Sequence, residues 1–527
     1  MDSILNYSFI VRALRAVASI GRAGVTSRVL RAVGTAVRES LPGRAVLSLL
    51  ASDAKVSEMS VVRRFFLWCN GVLHRAGQAL DPAWERCLPR RAWLRARSSD
   101  LVCESAVLHR VFYPGMRRLL VLAFALYLPI DWALRDVLSW GLVASAWDEA
   151  FILVTILYLL GRRILGSERV LPVVTPLDAA IALFIGVGAA LMFAVSPRFG
   201  IAFEGYRATV QNLIWFFLLL RLFEDKRDAV FLYRMMVVVG TAIALHGIYQ
   251  FIIAVPIPSH WQTSTEVAVR TRVYSIIGSP NIMGSLMVML APMAAALAYG
   301  PGSVGRKAAA WVCTFLMCFA CLFTFSRGAW LGMGIAVLIF ALLVDRKLLI
   351  LLAGAAAVAM MIPDVNNRIM FLFTEQFAEA SKVGGRAARW HIGKILLHEN
   401  SPILGFGLGR YGGATAMNNQ VESRFSYYYL DNYYMRILVE MGYAGLVSYL
   451  IMLLTNVVTA LRAIFRRRKN RPIAAMCSGM LSGMAGVMAH CLYENIFEEP
   501  YMMAYFWGMA AMVVFLGFLD REKGPVE

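Results

Sequence analysis

Four arginines stand where an apolar chain can least accommodate them: Arg207, Arg270, Arg272 and Arg327, each near one end of a long hydrophobic segment. Gln211, Asn212, His246, Gln250 and Asn281 lie at comparable positions. Ionisable groups at such depths are costly and ordinarily face a cavity or a partner. Arginine's planar fork matches phosphate oxygens and stays charged at any relevant pH, so a cluster at headgroup level suits a lipid-linked phosphate or diphosphate. Trp390, Tyr411, Tyr427, Tyr428, Tyr429, Tyr433 and Tyr434 add aromatic faces of the kind on which pyranose rings stack. Taken singly, each residue has a structural role open to it. Arg327 can snorkel to the interface, His246 and Gln250 can bond between helices, Asn281 can cap the helix after it, and the tyrosine run fits an aromatic belt. The convergence of several arginines carries the functional reading.

What must hold these residues is a membrane bundle. Of 527 residues, 59% are hydrophobic and 16% charged, with a mean hydropathy of +0.63, values of a polytopic membrane protein. Windows long enough to cross about 30 Å of hydrocarbon recur throughout residues 118–520. They predict about twelve spans, at 118–136, 140–161, 177–195, 205–223, 230–255, 282–299, 308–325, 328–344, 348–363, 433–460, 472–493 and 500–519. In lipid such segments are helices, because the backbone has no water to bond and the lengths exclude barrel strands. The expected fold class is an all-α polytopic membrane protein. The eight cysteines show no paired spacing and read as small apolar core residues.

The net charge of +19 is placed asymmetrically. Arg162/Arg163, Lys226/Arg227, Arg306/Lys307, Arg346/Lys347 and Arg466–Lys469 all fall on one side if twelve spans alternate, and that side is the cytoplasm by the positive-inside rule. Both termini, including the 521–527 tail, are then cytoplasmic. The segment 364–432 lies outside, between the ninth and tenth spans, as do 256–281, the turn Ser326–Gly328 and the acidic turn Tyr493–Pro500. A bundle needs only short turns, so a connection of that length calls for function or disorder, and its aromatic, glycine and arginine content argues against disorder.

Residues 1–117 have no spanning run and no early segment resembling a cleavable signal peptide. Val25, Val29, Val33, Val37 and Leu41 fall on one helical face among arginines, and 4–20 is similar. A basic amphipathic helix here reads as lying on the anionic cytoplasmic leaflet, and a loosely ordered cytoplasmic tail is the alternative. Nucleic acid is not an expected partner, since the charge comes with membrane-seeking faces rather than a folded basic platform.

Five motifs in order carry a resemblance: RVYSIIGSPNIMGSLMVMLAPMAAAL (272–297), TFSRGAWLGMG (324–334), GRAARW (385–390), SPILGFGLGRY (401–411) and DNYYMRILVEMGYAGL (431–446). Over most of residues 200–460 the chain resembles the O-antigen ligase/polymerase superfamily of bacterial polysaccharide assembly. The resemblance implies a GT-C-like helical fold in the bacterial plasma membrane. It implies a metal-independent, inverting glycosyltransferase that needs no cofactor. Such an enzyme moves a glycan from a polyprenyl-diphosphate donor to the hydroxyl of an acceptor glycan or glycolipid, as a ligase or a polymerase. Membrane lipids and other polysaccharide-assembly proteins are the further partners it implies.

By the same resemblance Arg327 and Arg386 hold the diphosphate, with Arg272 and Arg389 as helpers. Fixed cations aimed at the leaving group lower the barrier without a metal ion. No Asp-x-Asp or other metal-ligand spacing occurs on the outer face, and Glu494, Glu498 and Glu499 read as the absence of positive charge there. Superfamily ligases that cap lipid A core have His before the Asn of the last motif; here Asp431 precedes Asn432. A carboxylate can take a proton from an attacking hydroxyl, so Asp431 is the expected base, and its alternative role is to cap the tenth span. His391 and His398 are rival bases. Arg207, Asn432, Tyr429 and Trp390 complete the expected substrate contacts. Two other classes fit a twelve-span basic protein. A transporter or flippase for lipid-linked oligosaccharide ordinarily shows internal repeats, and this chain has none visible. A scaffold of a polysaccharide export complex has no need to keep Arg327 and Arg386.

Overall fold

The computed structural model describes residues 86–104, 115–165, 175–256, 271–382, 385–421 and 429–519, with isolated positions between 71 and 79. The amphipathic stretches at 4–20 and 25–41, Arg270, Tyr427, Tyr428 and the 521–527 tail lie outside the described residues. Within the described residues the chain is helix and turn, with one isolated bridge between Gly412 and Tyr429.

In chain order the helices are α1 (Leu88–Arg97), α2 (Asp100–Glu104), α3 (Met116–Ala125), α4 (Tyr127–Trp132), α5 (Gly141–Leu165), α6 (Pro176–Ala194), α7 (Phe199–Val210), α8 (Ile214–Leu222), α9 (Lys226–Ile252) and α10 (Pro280–Leu297). They continue as α11 (Val304–Phe323), α12 (Arg327–Leu343), α13 (Leu348–Met360), α14 (Pro363–Met370), α15 (Glu375–Lys382), α16 (Arg386–Glu399), α17 (Ala414–Asn419), α18 (Tyr433–Arg466), α19 (Arg471–His490) and α20 (Pro500–Val514). Side-chain caps begin many of them: Thr175 at α6, Asp225 at α9, Ser279 at α10, Ser303 at α11, Asn432 at α18 and Asn470 at α19. Each cap satisfies an orphan amide and is worth about 1 kcal/mol.

Helix lies along every one of the twelve predicted segments. Among the described residues, eight helices are long and apolar enough to cross a membrane, or nine if a bent pair counts as one span. The other segments are interrupted or short. The first breaks at Leu126, the fourth passes through a 3-10 turn at Gln211–Leu213, and α12 is a shorter apolar helix. After α13 the chain bends by 91° into α14. The tenth segment is also broken, at Gly442, where φ is 63° inside α18.

Helices α10, α19 and α20 form the interior, with almost every side chain of α10 and α20 buried, whereas α13 buries none. The pairing of Ser285 with His490 and the approach of Gly483 to Met289 make α10 antiparallel to α19. Gly332 and Gly486 abut between α12 and α19, where a Cβ on Gly486 would stand 2.6 Å from the Gly332 carbonyl, so small residues set this close crossing. Both α10 and α12 therefore bring their C-terminal ends, and the basic connections that follow, beside the Arg466–Arg471 turn. At the same end Arg117 and Arg162 both pair with Glu224, and Phe223 packs on Phe515 at 5.3 Å. The opposite end gathers the turns 271–281 and 323–327, residues 385–421 and 429–432, and the turn 490–499. The bundle thus separates its basic connections from its motif-bearing ones.

Candidate active site

Arg272 precedes α10 and is buried, its Nε donating to the Thr324 carbonyl at 3.1 Å and its Nη2 to Asn281 Oδ1 at 3.2 Å. One guanidinium therefore ties the start of α10 to the turn before α12. Asn281 does not cap α10; Ser279 does, accepting from the Ile282 amide. Asn281 instead donates through Nδ2 to Glu494, on the connection between α19 and α20. Arg327 is the first residue of α12, and its Nη1 approaches the Arg368 carbonyl at 3.5 Å. The 91° bend carries α14 over this turn, where buried Arg368 donates from Nε to the Phe325 carbonyl at 2.8 Å.

Arg386 and Arg389 lie three residues apart at the start of α16, a spacing that puts both on one helical face. Arg389 Nη1 donates to Asp431 Oδ2 at 2.8 Å, and Arg386 Nε lies 3.5 Å from the same oxygen. Asp431 is not the cap of α18. Asn432 is, its Oδ1 accepting from the Met435 amide at 2.9 Å, which leaves the neighbouring carboxylate to the arginines. The Tyr411 hydroxyl donates to the Arg389 carbonyl at 2.9 Å and fixes the turn that bears both.

Glu494 is 5% exposed and accepts from Asn281, from the Tyr429 hydroxyl at 3.3 Å and from the Asn495 amide at 3.1 Å. Burial and the Asp431 charge raise its carboxyl above the ordinary carboxylate value, against the opposing pull of Arg386. Glu499, also on this connection, is pushed up to about 7 by burial and by Asp131. The acids of this turn, which in the sequence read only as an absence of positive charge on the outer side, are buried or half-buried. Glu498 pairs with Arg436 and accepts from the Ala414 amide at 2.9 Å. Among the described residues, no three His, Cys, Asp or Glu side chains are grouped to hold a metal ion.

The break in α18 positions the loop. At Gly442 a Cβ would stand 2.3 Å from the Ile403 carbonyl, so only glycine admits both the positive φ and the contact. The backbone groups freed by the break are taken up by the loop: Phe406 N donates to Val439 O at 2.7 Å, Gly407 N to Glu440 O at 3.0 Å, and Tyr443 N to Pro402 O at 2.9 Å. Beneath the same loop Arg436 is 2% exposed, pairs with Glu440 at 3.4 Å and with Glu498, and lies against Gly413, where a Cβ would meet its guanidinium carbon at 2.6 Å.

The structure brings together Arg386, Arg389, Asp431, Asn432 and Tyr429, and joins Arg272 to them through Asn281 and Glu494. Arg327 is tied to Arg368. Arg207 lies elsewhere, paired with Glu149 on α5 beside Gln211, which donates to Asp148 at 3.3 Å. Among the described residues the expected aromatic faces are largely internal. Tyr411 and Tyr433 are buried, and Trp390 packs on Leu396, Phe406, Tyr411, Leu430 and Val439, the loop's own small core. His391 and His398 are exposed on α16. His246 bonds Ser275 at 2.9 Å, and Gln250 accepts from the Ser275 amide at 2.7 Å.

Sequence reasoning missed Glu494 as a buried partner, Arg368, and the Arg436–Glu440–Glu498 group. A signal existed for the last: Arg436 and Glu440 are opposite charges four residues apart in an otherwise apolar run.

Among curated proteins none matches the chain. Residues 312–450, which run from α11 into α18 and carry Arg327, Arg386, Arg389 and Asp431, match the family model described as O-antigen ligase. With its many apolar helices the chain is a multi-pass membrane protein, and this match bears out its resemblance to the O-antigen ligase/polymerase superfamily.

Proposed function

We propose that the protein is a membrane glycosyltransferase that transfers or polymerises a glycan from a polyprenyl-diphosphate donor onto an acceptor hydroxyl. It acts at the outer face of the bacterial plasma membrane, in surface or exported polysaccharide assembly. The observation that carries this reading is the meeting of Asp431 with Arg389 at 2.8 Å and Arg386 at 3.5 Å, inside the matched residues and at the end of the bundle away from the basic connections. By the positive-inside rule that end is extracytoplasmic and both termini are cytoplasmic. Residues 118–363 and 433–520 are the helical scaffold, 364–432 is the outer loop, and 1–117 is a cytoplasmic element.

Arg327 and Arg386 hold the donor diphosphate, and Arg272 and Arg389 support them. Asn432 and Tyr429 line the same position, and Trp390 is a structural support for the α16 arginines. The acceptor oxygen attacks the anomeric carbon from the face opposite the diphosphate. The new glycosidic bond forms as the bond to the diphosphate oxygen breaks, and the configuration inverts. The hydroxyl proton goes to Asp431, and the leaving diphosphate keeps its electron pair under the arginine charges. No metal enters this scheme.

Purified protein in detergent, given polyprenyl-diphosphate oligosaccharides and EDTA, tests the reading. Ladder-like lengthening of lipid-linked glycan makes it a polymerase, and a single transfer to a different acceptor makes it a ligase. Binding of lipid-linked sugar with no transfer would shift the assignment to a flippase or a scaffold.

A further inference from the structure

The turn that leads into Arg327 is held by two other arginines. Its consecutive carbonyls each accept from a buried guanidinium, Thr324 O from Arg272 Nε at 3.1 Å and Phe325 O from Arg368 Nε at 2.8 Å. Phe325 itself has φ of 51°, a left-handed conformation that a residue other than glycine keeps only where its surroundings impose it. The Thr324 hydroxyl completes the turn by accepting from the Ser326 amide at 3.2 Å. Arg327 follows as the first residue of α12, so this turn decides where its guanidinium stands. Arg272 belongs to the segment before α10, whereas Arg368 comes from α14, beyond the 91° bend. The buried residues of that arm, Val365, Arg368 and Phe371, recur at every third position and share one face. Through that face Arg368 meets Phe325, and Arg327 Nη1 reaches back to the Arg368 carbonyl at 3.5 Å. A buried cation is costly to keep for packing alone.

We propose that Arg368 is a positioning residue for transfer: by holding the Phe325 carbonyl from α14, it fixes the turn in the conformation that aims Arg327 at the donor diphosphate. This rests on the reading of Arg327 as a diphosphate ligand. A cation lowers the barrier at a leaving group only if it stands in place before the reaction, and a displacement of about 1 Å can cost about 100-fold in rate. The bond from Arg368 goes to backbone, so its effect on transfer passes through the residue that the backbone carries. Its removal should therefore matter only while Arg327 is there to be positioned.

The experiment is a double-mutant cycle, read as single-turnover transfer from polyprenyl-diphosphate oligosaccharide by purified full-length protein. Its members are wild type, Arg368→Gln, Arg327→Lys and the double variant. Arg368→Gln is expected to lower the rate about 30-fold in the wild-type background and about 3-fold or less beside Arg327→Lys. A residue that only stabilises the fold, or that binds donor on its own account, would show the same fold loss in both backgrounds. If Arg368→Gln is not recovered as a monodisperse protein, Arg368→Lys takes its place in the cycle, with a smaller loss and non-additivity of the same sign. The same fold loss in both backgrounds, or a wild-type rate in Arg368→Gln, overturns the proposal. No transfer by wild type, or wild-type transfer by Arg327→Lys, would instead overturn the reading on which it rests, and this inference with it.

Discussion

Arg389 and Asp431 meet at 2.8 Å although 42 residues separate them in the chain, and their contact ties the start of α16 to the start of α18. The more distant Arg386, 40% exposed against 25% for Arg389, is the open member of the pair. That difference divides their proposed roles: Arg389 anchors the carboxylate, while Arg386 presents its charge to a ligand.

Arg327 should depend on its shape as well as its charge. Lysine keeps the cation but loses the planar fork that matches a diphosphate. Arg327→Lys is expected to lower transfer by about 100-fold with normal membrane insertion, measured on purified protein. Near-wild-type activity would remove Arg327 from the site.

The break in α18 should be intolerant of any side chain. At Gly442 an alanine meets both a positive φ and the Ile403 carbonyl at 2.3 Å. Gly442→Ala is expected to cost about 2 kcal/mol or more, read as a lower melting temperature in detergent. An unchanged melting temperature would show that the loop can withdraw from the break at little cost.

Arg436 should be a stability residue whose loss is partly repaired by removing a partner. Truncating it leaves Glu440 and Glu498 without their counter-charge in the interior. Arg436→Met is expected to cost about 3–5 kcal/mol. Arg436→Met combined with Glu498→Gln should recover part of the lost folded yield, and a double variant no better than the single would argue against the pairing.

The bundle was legible in the sequence because apolar length is a local signal, and helix lies along all twelve predicted segments. The breaks were not. Gly442 reads as one more small residue in EMGYAG until the loop at 402–407 supplies partners for the backbone it frees. Arg386 and Asp431 were legible as motif residues. Asp431 was separable from a cap only once Asn432 was seen to hold the Met435 amide. Glu494 and Glu498 read in the sequence only as an absence of positive charge on the outer side, because sequence carries no record of what packs against a turn. Trp390 and Tyr411 erred in the other direction: aromatic residues in a polar loop suggested an open surface, and they form the core that stiffens it.

Sidedness has its own check. Asn419 is exposed in the 364–432 segment, and Lys469 is exposed in the turn between α18 and α19. Cysteine at position 419 should react with an impermeant reagent on intact cells, and cysteine at 469 only after permeabilisation. The opposite pattern would invert the proposed orientation.

The most direct test is transfer by Asp431→Asn, assayed with purified protein, polyprenyl-diphosphate oligosaccharide and EDTA. The amide keeps the shape of the side chain and cannot take a proton. The account predicts that wild type transfers glycan while the variant, still folded and still binding donor, loses about 100-fold or more. Wild-type transfer by Asp431→Asn would contradict it.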